Sequence, residues 1–279
     1  MLDLLQILGV PFLGCILMSA ILGYLGTHVL KREIIFVDIA LAQVAAVGAI
    51  AAHILFKVQG ESLLAYSFAM GAVFLVAAFY AAARRRIFQI NLEAVIGISY
   101  AVAAAAALFL VGIAPGGHIH IQQVLSGSLL WTGCGDLLPA TVVFSSAGIF
   151  FYIFRKPLIE ISCDYQQALT KGINVIFWDF IFYIILGMVI TFSVQIAGIV
   201  VVFAYLIIPG TISALFCLAR SIRLFVIWII AVLGSLGGLM FAYYLDFSIG
   251  PAIALFLGAE LIIASVIAGF GRYFLRVSS

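Results

Sequence analysis

Three polar side chains lie inside an apolar run that is long enough to cross a lipid bilayer. The run covers residues 34–56, IIFVDIALAQVAAVGAIAAHILF, and contains Asp38, Gln43 and His53. About 20 apolar residues in a helix span the roughly 30 Å of hydrocarbon in a bilayer. A charged side chain there costs at least about 2.5 kcal/mol, so it normally faces protein or a polar pathway. Because carboxylate, amide and imidazole groups also bind metals, one interpretation of these residues is a cation pathway.

A structural role is the alternative for each ionisable residue in the apolar runs. Lys31 and Arg32 shortly precede Asp38, so its carboxylate could snorkel to the membrane surface or pair with a base. His53, near the other end of the run, is either a gate or ligand or a hydrogen-bonded packing residue. Glu260, in the last apolar run, either binds a proton or cation or is a buried neutral acid hydrogen-bonded to a neighbour.

Composition excludes a soluble globular protein. The 279 residues are 66% hydrophobic and 9% charged, and the mean hydropathy is +1.33. The sequence therefore predicts an all-α, polytopic integral membrane protein. A net charge of +2 gives no indication of a nucleic-acid partner. The four cysteines have no CxxC spacing and indicate neither a zinc site nor a disulfide framework; they are Cys15, Cys134, Cys163 and Cys217.

Nine apolar runs predict nine membrane crossings, with eight as the alternative. They cover residues 5–29, 34–56, 63–83, 93–113, 137–154, 176–196, 198–218, 224–244 and 250–271. Nine crossings with the N-terminus outside place all of the 13 Lys and Arg residues except Lys57 on the cytoplasmic side. We therefore expect one transmembrane domain over residues 1–279, in the cell membrane, with a cytoplasmic C-terminus. The first run lacks a basic leader and a cleavage site, which favours a retained helix over a signal peptide.

Two of the connections are too long for simple turns. Residues 114–136 include His118 and His120 and are interpreted as a re-entrant or interfacial segment, or as a surface loop with two histidines. Residues 155–175 form the longest polar stretch, on the predicted cytoplasmic side. Asp164 is suited to cap a short helix over residues 165–170, and Gly172 is suited to end it. Such a helix is either a docking element for a soluble partner or an ordinary loop helix.

Local sequence also predicts a helix break and two ion pairs. Pro209 and Gly210 lie in the middle of an apolar run, and proline removes a backbone donor, so the helix should kink or break there. Broken helices at the membrane midplane hold substrate sites in transporters, whereas a simple kink would serve packing. Asp179 and Glu93 lie near cytoplasmic helix ends, where we expect them to pair with the basic cluster at residues 84–86 or another basic loop.

An ordered set of short motifs resembles the membrane permeases of metal-ion ABC transporters. The segment AYLIIPGTISALF from residue 204 is followed by SLGGLMFAYYLDFSIGPAIAL from residue 235. Earlier in the chain come LEAVIGISYA from residue 92, QQVLSGSLL from residue 122 and CDYQQALTKGI from residue 163. Each of these segments resembles a family motif, and together they follow the family's order over roughly residues 10–270.

The resemblance implies a permease in which two copies enclose a translocation path for a divalent metal ion of the zinc, manganese or iron class. The metal is substrate, and no cofactor is expected on this chain. Partners implied are a separate ATPase subunit, an extracytoplasmic solute-binding protein, a second permease copy and the bilayer. The resemblance makes Asp164, Ala168 and Gly172 candidate residues for coupling to the ATPase. The chain lacks a G-x-x-x-x-G-K-[ST] phosphate loop, so it is not expected to be an enzyme itself.

The metal-binding motif departs from the family pattern. Family members that carry zinc or manganese have D-x-x-x-H on the second helix, whereas here Gln43 occupies the histidine position and Asp38 stands five residues before it. Five residues correspond to about 140° on an α-helix, and a π-bulge would be needed to bring the two side chains together. Alternatives from other classes are a secondary transporter that couples protons or sodium through Asp38 and Glu260, and a membrane scaffold without transport.

Overall fold

The chain folds as a bundle of helices. The computed structural model describes residues 2–57, 62–86, 90–113, 129, 133–216 and 220–277, and all regular secondary structure in these residues is helical. The α-helices are α1 (Leu2–Arg32), α2 (Val37–Phe56), α3 (Leu63–Arg86), α4 (Leu92–Ile113), α5 (Cys134–Ile153), α6 (Arg155–Cys163), α7 (Tyr165–Thr170), α8 (Val175–Ala197), α9 (Ile199–Leu215), α10 (Arg220–Leu245) and α11 (Ile249–Val277). The predicted all-α fold class is confirmed.

Each of the nine predicted apolar runs corresponds to a helix. Within the described residues, α1, α2, α3, α4, α8, α10 and α11 are each long and apolar enough to cross a membrane. α5 and α6 together form an eighth candidate, bent by 78° between them. α9 is apolar throughout but has only 17 residues. Hydrophobic length therefore supports seven to eight spans, and α9 is a shorter apolar helix packed inside the bundle.

Glycines allow the closest contacts between helices. A Cβ at Gly26 of α1 would overlap the carbonyl oxygen of Leu206 in α9, and a Cβ at Gly48 of α2 would overlap the carbonyl of Phe68 in α3. Only hydrogen fits at these two positions, so the backbones meet directly, as small residues permit in membrane helices. Aromatic side chains, among them Tyr183, fill the space between helices farther from these contacts.

Successive long helices run antiparallel, which gathers one set of helix ends together. Arg32 at the end of α1 bonds Asp179 at the start of α8, and Glu93 of α4 accepts a hydrogen bond from the Phe36 backbone just before α2. We call this the basic end of the bundle. At the other end, the Tyr66 hydroxyl of α3 donates to the Gln195 side chain of α8 at 2.6 Å.

The polar segment between α5 and α8 contains more structure than the sequence predicted. Residues 155–163 form α6, which buries Leu158, Ile161 and Ser162, the i, i+3, i+4 spacing of an amphipathic helix. α7 covers Tyr165–Thr170 as predicted, and the Asp164 carboxylate accepts a hydrogen bond from the Gln167 N–H at 2.9 Å. Gly172 follows with φ +75°, a left-handed conformation suited to glycine.

The helix does not break at Pro209 and Gly210, and a kink there stays a prediction. α9 continues as one α-helix from Ile199 to Leu215. Pro209 leaves the carbonyl of Tyr205 without its helical donor, which the helix tolerates. The Thr211 hydroxyl donates to a different carbonyl, that of Ile207, at 2.8 Å. A Cβ at Gly210 would lie 2.8 Å from the Leu30 side chain, so this glycine serves close packing of α9 on α1.

Candidate functional site

A regular helix sets the spacing of Asp38, Gln43 and His53. α2 is α-helical from Val37 to Phe56, without the π-bulge that would have aligned Asp38 with Gln43. The two side chains therefore diverge by about 140°, and His53 lies about 15 Å beyond Gln43 along the axis. The three residues cannot ligate one ion. Across the described parts of the chain, no three or more His, Cys, Asp or Glu residues are grouped to hold a metal ion.

Asp38 is a buried acid that no base or side-chain donor meets among the described residues. It is 1% exposed, and the only groups that interact favourably with its carboxylate there are the backbone N–H groups of Ile39 and of Asp38 itself at the start of α2. The nearby bases are engaged elsewhere, since Arg32 bonds Asp179 at 2.6 Å and the Lys31 ammonium donates to Cys163 Sγ at 3.3 Å. The interpretation that Asp38 snorkels to the surface or pairs with one of these bases is therefore wrong.

A second acid, Glu93, meets the start of α2 close to Asp38. One oxygen of Glu93 accepts from the Phe36 N–H at 3.0 Å, while its other oxygen is buried without a hydrogen-bond partner. The ion pair expected between Glu93 and a basic loop does not occur among the described residues. Asp38 and Glu93 interact electrostatically, so two carboxyl groups that no base meets among the described residues share this region. Unpaired buried acids are costly, and uptake of a cation or a proton would relieve that cost.

Gln43 lies on a different face of α2 from Asp38. Together with Ile39, Val47, Ile50 and Ile54 it forms a half-buried stripe along the helix. These positions recur at intervals of three or four residues, so they share one face. His53 is also half-buried and lies beside the end of this stripe. α3, α4 and α8 pack against α2, and the stripe stays half-buried beside these contacts.

Glu260 faces the bundle, as its position in an apolar helix predicted. Its Oε2 atom is buried without a hydrogen-bond partner in the described residues, 3.5 Å from where a Cβ on Gly234 of α10 would lie. The neighbouring Ser235 hydroxyl is hydrogen-bonded to the Tyr205 hydroxyl of α9 at 2.5 Å. Glu260 therefore lies against α10, far along the chain from Asp38 and on different helices.

A buried ion network at the basic end joins four helices. Asp179 of α8 binds Arg32 of α1 at 2.6 Å and Arg84 of α3 at 3.2 Å, which confirms its predicted pairing with the basic cluster. Arg32 Nε also donates to the Ser162 hydroxyl of α6 at 2.9 Å, and His28 Nδ1 lies 2.9 Å from the same hydroxyl.

Sequence reasoning missed Arg32, Ser162 and His28 as members of this network. Their partners are more than a hundred residues away in the chain. Opposite charges near the ends of apolar runs were the only signal in the sequence, and they do not specify which charges meet.

The fold exposes two of the three candidate coupling residues and buries the third. Asp164 and Gly172 are exposed at the two ends of α7. Ala168 is 1% exposed and packs against Ile161 and Val175, so it lies on the inner side of α7; its role in coupling stays a prediction. The outer face of α7 is instead formed by Gln166, Gln167, Thr170 and Lys171. His118 and His120 lie outside the described residues.

Comparison with known proteins decides the class. Residues 5–268 match the ABC 3 transport family, which is most of the chain. The chain belongs to the ABC 3 transport family. The resemblance inferred from the ordered motifs is therefore confirmed, and this protein is a membrane permease of the metal ABC transporter family. Membership of this family takes precedence over the two alternative classes, the secondary transporter and the membrane scaffold without transport.

Relatives and a solved structure agree with this membership. The chain is 26% identical over 68% of its length to the "Probable iron transport system membrane protein" of Haemophilus influenzae, covering 69% of that protein. It is 23% identical to the manganese transport system membrane protein MntC of Halalkalibacterium halodurans, over 87% of this chain and 80% of the relative. PsaBC from Streptococcus pneumoniae, solved with a Fab, has the same fold, with a TM-score of 0.80, 22% identity and coverage of 100% and 98%.

Proposed function

We propose that this chain is the permease subunit of an ABC importer for a divalent cation of the manganese or iron class. The observation that carries the proposal is the Asp38 carboxylate, buried in a membrane helix of a metal permease with no base and no side-chain donor among the described residues. A permanent structural acid would be expected to have partners, as Asp179 has. A transient cation supplies the missing charge at Asp38 while it passes.

Helix α2 orders the proposed pathway residues along the membrane normal. His53 lies near the end opposite the basic end, Gln43 about 15 Å deeper, and Asp38 about 7.5 Å deeper again. The half-buried stripe that holds Gln43 supports a path between two copies of the chain. Oxygen ligands such as carboxylate and amide suit manganese better than a site rich in imidazole or thiolate would. The transport systems named for the relatives, iron and manganese, are of this class.

Energy for transport would come from other chains in this proposal. The whole chain acts as one permease domain in the cell membrane, with its N-terminus outside and its basic end in the cytoplasm. A separate ATPase docks on the outer face of α7, and a solute-binding protein delivers the metal from the other side. ATP-driven movement of α7 passes to α1, α3 and α8 through Ser162 and the Arg32–Asp179–Arg84 network, and the path alternates between its two openings.

Metal uptake by the Asp38→Asn variant tests this function. In the complete transporter in proteoliposomes, normalised to folded permease, we expect manganese uptake to fall about tenfold or more, the equivalent of about 1.4 kcal/mol. The reason is that Asp38 offers the ion the only formal charge in the interior of α2, and the variant removes that charge. Folding should be retained, because the asparagine removes a buried charge that no base neutralises among the described residues.

Asp246→Asn is the matched control for Asp38→Asn. Asp246 is exposed between α10 and α11 with φ +51°, a conformation that asparagine also tolerates. Its uptake should equal that of the wild type. If Asp38→Asn transports at the wild-type rate per folded molecule, Asp38 is not part of the path and the proposal loses the observation that carries it.

A further inference from the structure

A cavity of about 290 Å³ opens at the basic end between α1, α3, α4 and α7. Its polar lining consists of Arg32, Arg84, Asn91, Tyr165 and Gln166. We propose that this cavity binds the phosphate group of an anionic phospholipid. The proposal is independent of the metal path, which runs along α2.

The charge of the cavity suits an anion. Among its lining residues, only the two arginines carry a formal charge, and the one acid bound to them, Asp179, leaves a net charge of +1. A guanidinium has five N–H donors, and Arg32 Nη2 is buried without a hydrogen-bond partner in the described part of the chain. The Arg32 side chain is 0% exposed and that of Arg84 14%. Arg84, the more accessible of the two guanidinium groups, would donate a charge-assisted hydrogen bond to a phosphate oxygen, and the buried charge of Arg32 would add to the attraction.

The surroundings of the cavity favour a lipid over a soluble phosphate. One turn deeper than Ala83 on α3 lies Phe79, which is 50% exposed. One turn deeper than Val95 on α4 lies Ile98, which is 62% exposed. Residues three or four apart share a helix face, so acyl chains could lie along these side chains while the head group occupies the cavity. Basic pockets between membrane helices on the cytoplasmic side bind anionic head groups in this way.

A bound head group would also contact α7. Gln166 of α7 lines the cavity, and the Arg84 guanidinium lies over the Tyr165 ring at 4.5 Å. The lipid would therefore bridge α3 and α4 to the segment on which we expect the ATPase to dock. Anionic lipid is thus expected to stabilise the position of α7 in the bundle.

Two matched asparagine variants test the site. Asn91 and Asn174 are both exposed on the basic end, and each caps a helix by accepting a backbone N–H at 3.3 Å, from Glu93 and from Phe177. Aspartate caps a helix as well as asparagine does, so both Asn→Asp variants should fold. Only Asn91 lines the cavity. Binding of phosphatidylglycerol to the full chain in detergent, measured by native mass spectrometry, should weaken about fivefold in Asn91→Asp and remain unchanged in Asn174→Asp.

Further binding measurements distinguish the phosphate of a lipid from a soluble phosphate. Phosphatidylcholine should bind more weakly than phosphatidylglycerol to the wild type, and Arg84→Gln should remove that preference. Glycerol phosphate, tested as a competitor, should displace the lipid only weakly, because it has no acyl chains. Equal weakening in Asn91→Asp and Asn174→Asp, or no weakening in either, would overturn the site. Displacement by glycerol phosphate at concentrations equal to those of the lipid would overturn the assignment to a lipid.

Discussion

Two aspartates buried in membrane helices differ completely in their partners. Asp179 receives two guanidinium groups within 3.2 Å, whereas Asp38 has no base and no side-chain donor among the described residues. A buried carboxylate that is fully paired is stable where it is, because its charge is neutralised in a medium of low dielectric constant. An unpaired one is a site at which a passing cation gains stabilisation. At the scale of the residue, partner atoms separate the structural acid from the candidate functional one.

We predict that Asp179→Asn destabilises the fold strongly. Removing the acid leaves Arg32 and Arg84 as two buried like charges, and breaking a buried ion pair by removing one partner costs about 3–5 kcal/mol. The free energy of unfolding in mixed micelles, followed during titration with a denaturing detergent, should fall by about that amount.

Glu160→Gln is the control for Asp179→Asn. Its pair with Lys171 has an N–O distance of 3.2 Å, but the side chains are 41% and 48% exposed. Exposed pairs contribute about 0–1 kcal/mol, so this variant should unfold nearly as the wild type does. Equal losses in the two variants would mean that the buried network is no more important than a surface ion pair.

The short helix α7 shows how one element can be predicted in its bounds and misjudged in its orientation. Asp164 and Gly172 end it as expected, because capping is decided by residues within the segment itself. Which side of the helix turns outward is decided by packing on α6 and α8, and that packing buries Ala168. A docking surface on α7 therefore consists of its glutamines and Thr170 rather than its alanine.

Blocking the outer face of α7 is predicted to release the ATPase. Gln167→Trp places a bulky group on the exposed side of α7 without disturbing the buried cluster, so the permease should fold but copurify with at least about tenfold less ATPase. Lys156→Trp, exposed on α6 at the same end, should leave the complex intact. Copurification is measured after coexpression of all subunits. Wild-type amounts of ATPase with Gln167→Trp would move the docking site away from α7.

At the scale of the whole molecule, charge distribution gives the bundle two unlike ends. Arg32, Arg84 and the helices α6 and α7 gather at the basic end, where α1 and α3 finish and α8 begins. The opposite end has apolar and aromatic contacts, such as that between Tyr66 and Phe192. Because positively charged residues are retained in the cytoplasm during insertion, this asymmetry predicts one orientation in the membrane.

Cysteine accessibility tests that orientation. Cys163 is exposed at the basic end and should react with a membrane-impermeant maleimide only from the cytoplasmic side. Asp246→Cys, at the opposite end and in a variant with Cys163→Ser, should react only from outside. Inside-out and right-side-out vesicles give the two measurements. Reaction of Cys163 in right-side-out vesicles would reverse the predicted topology.

The sequence by itself determined the class of protein and the positions of the membrane helices. Nine apolar runs became nine helices because hydrophobic length and backbone satisfaction in a bilayer leave few alternatives to a helix. The ordered motifs indicated the family, and the caps of α7 were fixed by local residues. These properties depend on neighbours in the chain, which a sequence displays directly.

Only the tertiary structure decided which distant groups meet. Asp179 could have paired with several bases, and it pairs with Arg32 because the end of α1 meets the start of α8. Pro209 predicted a break from its own chemistry, but packing against α1 kept α9 continuous. Asp38 was expected either on a path or in a surface ion pair, and only the contacts of neighbouring helices showed that it is buried with no base beside it among the described residues. Residues that pair in this fold are separated by about a hundred residues or more in the chain, so a local sequence pattern does not specify which of them meet.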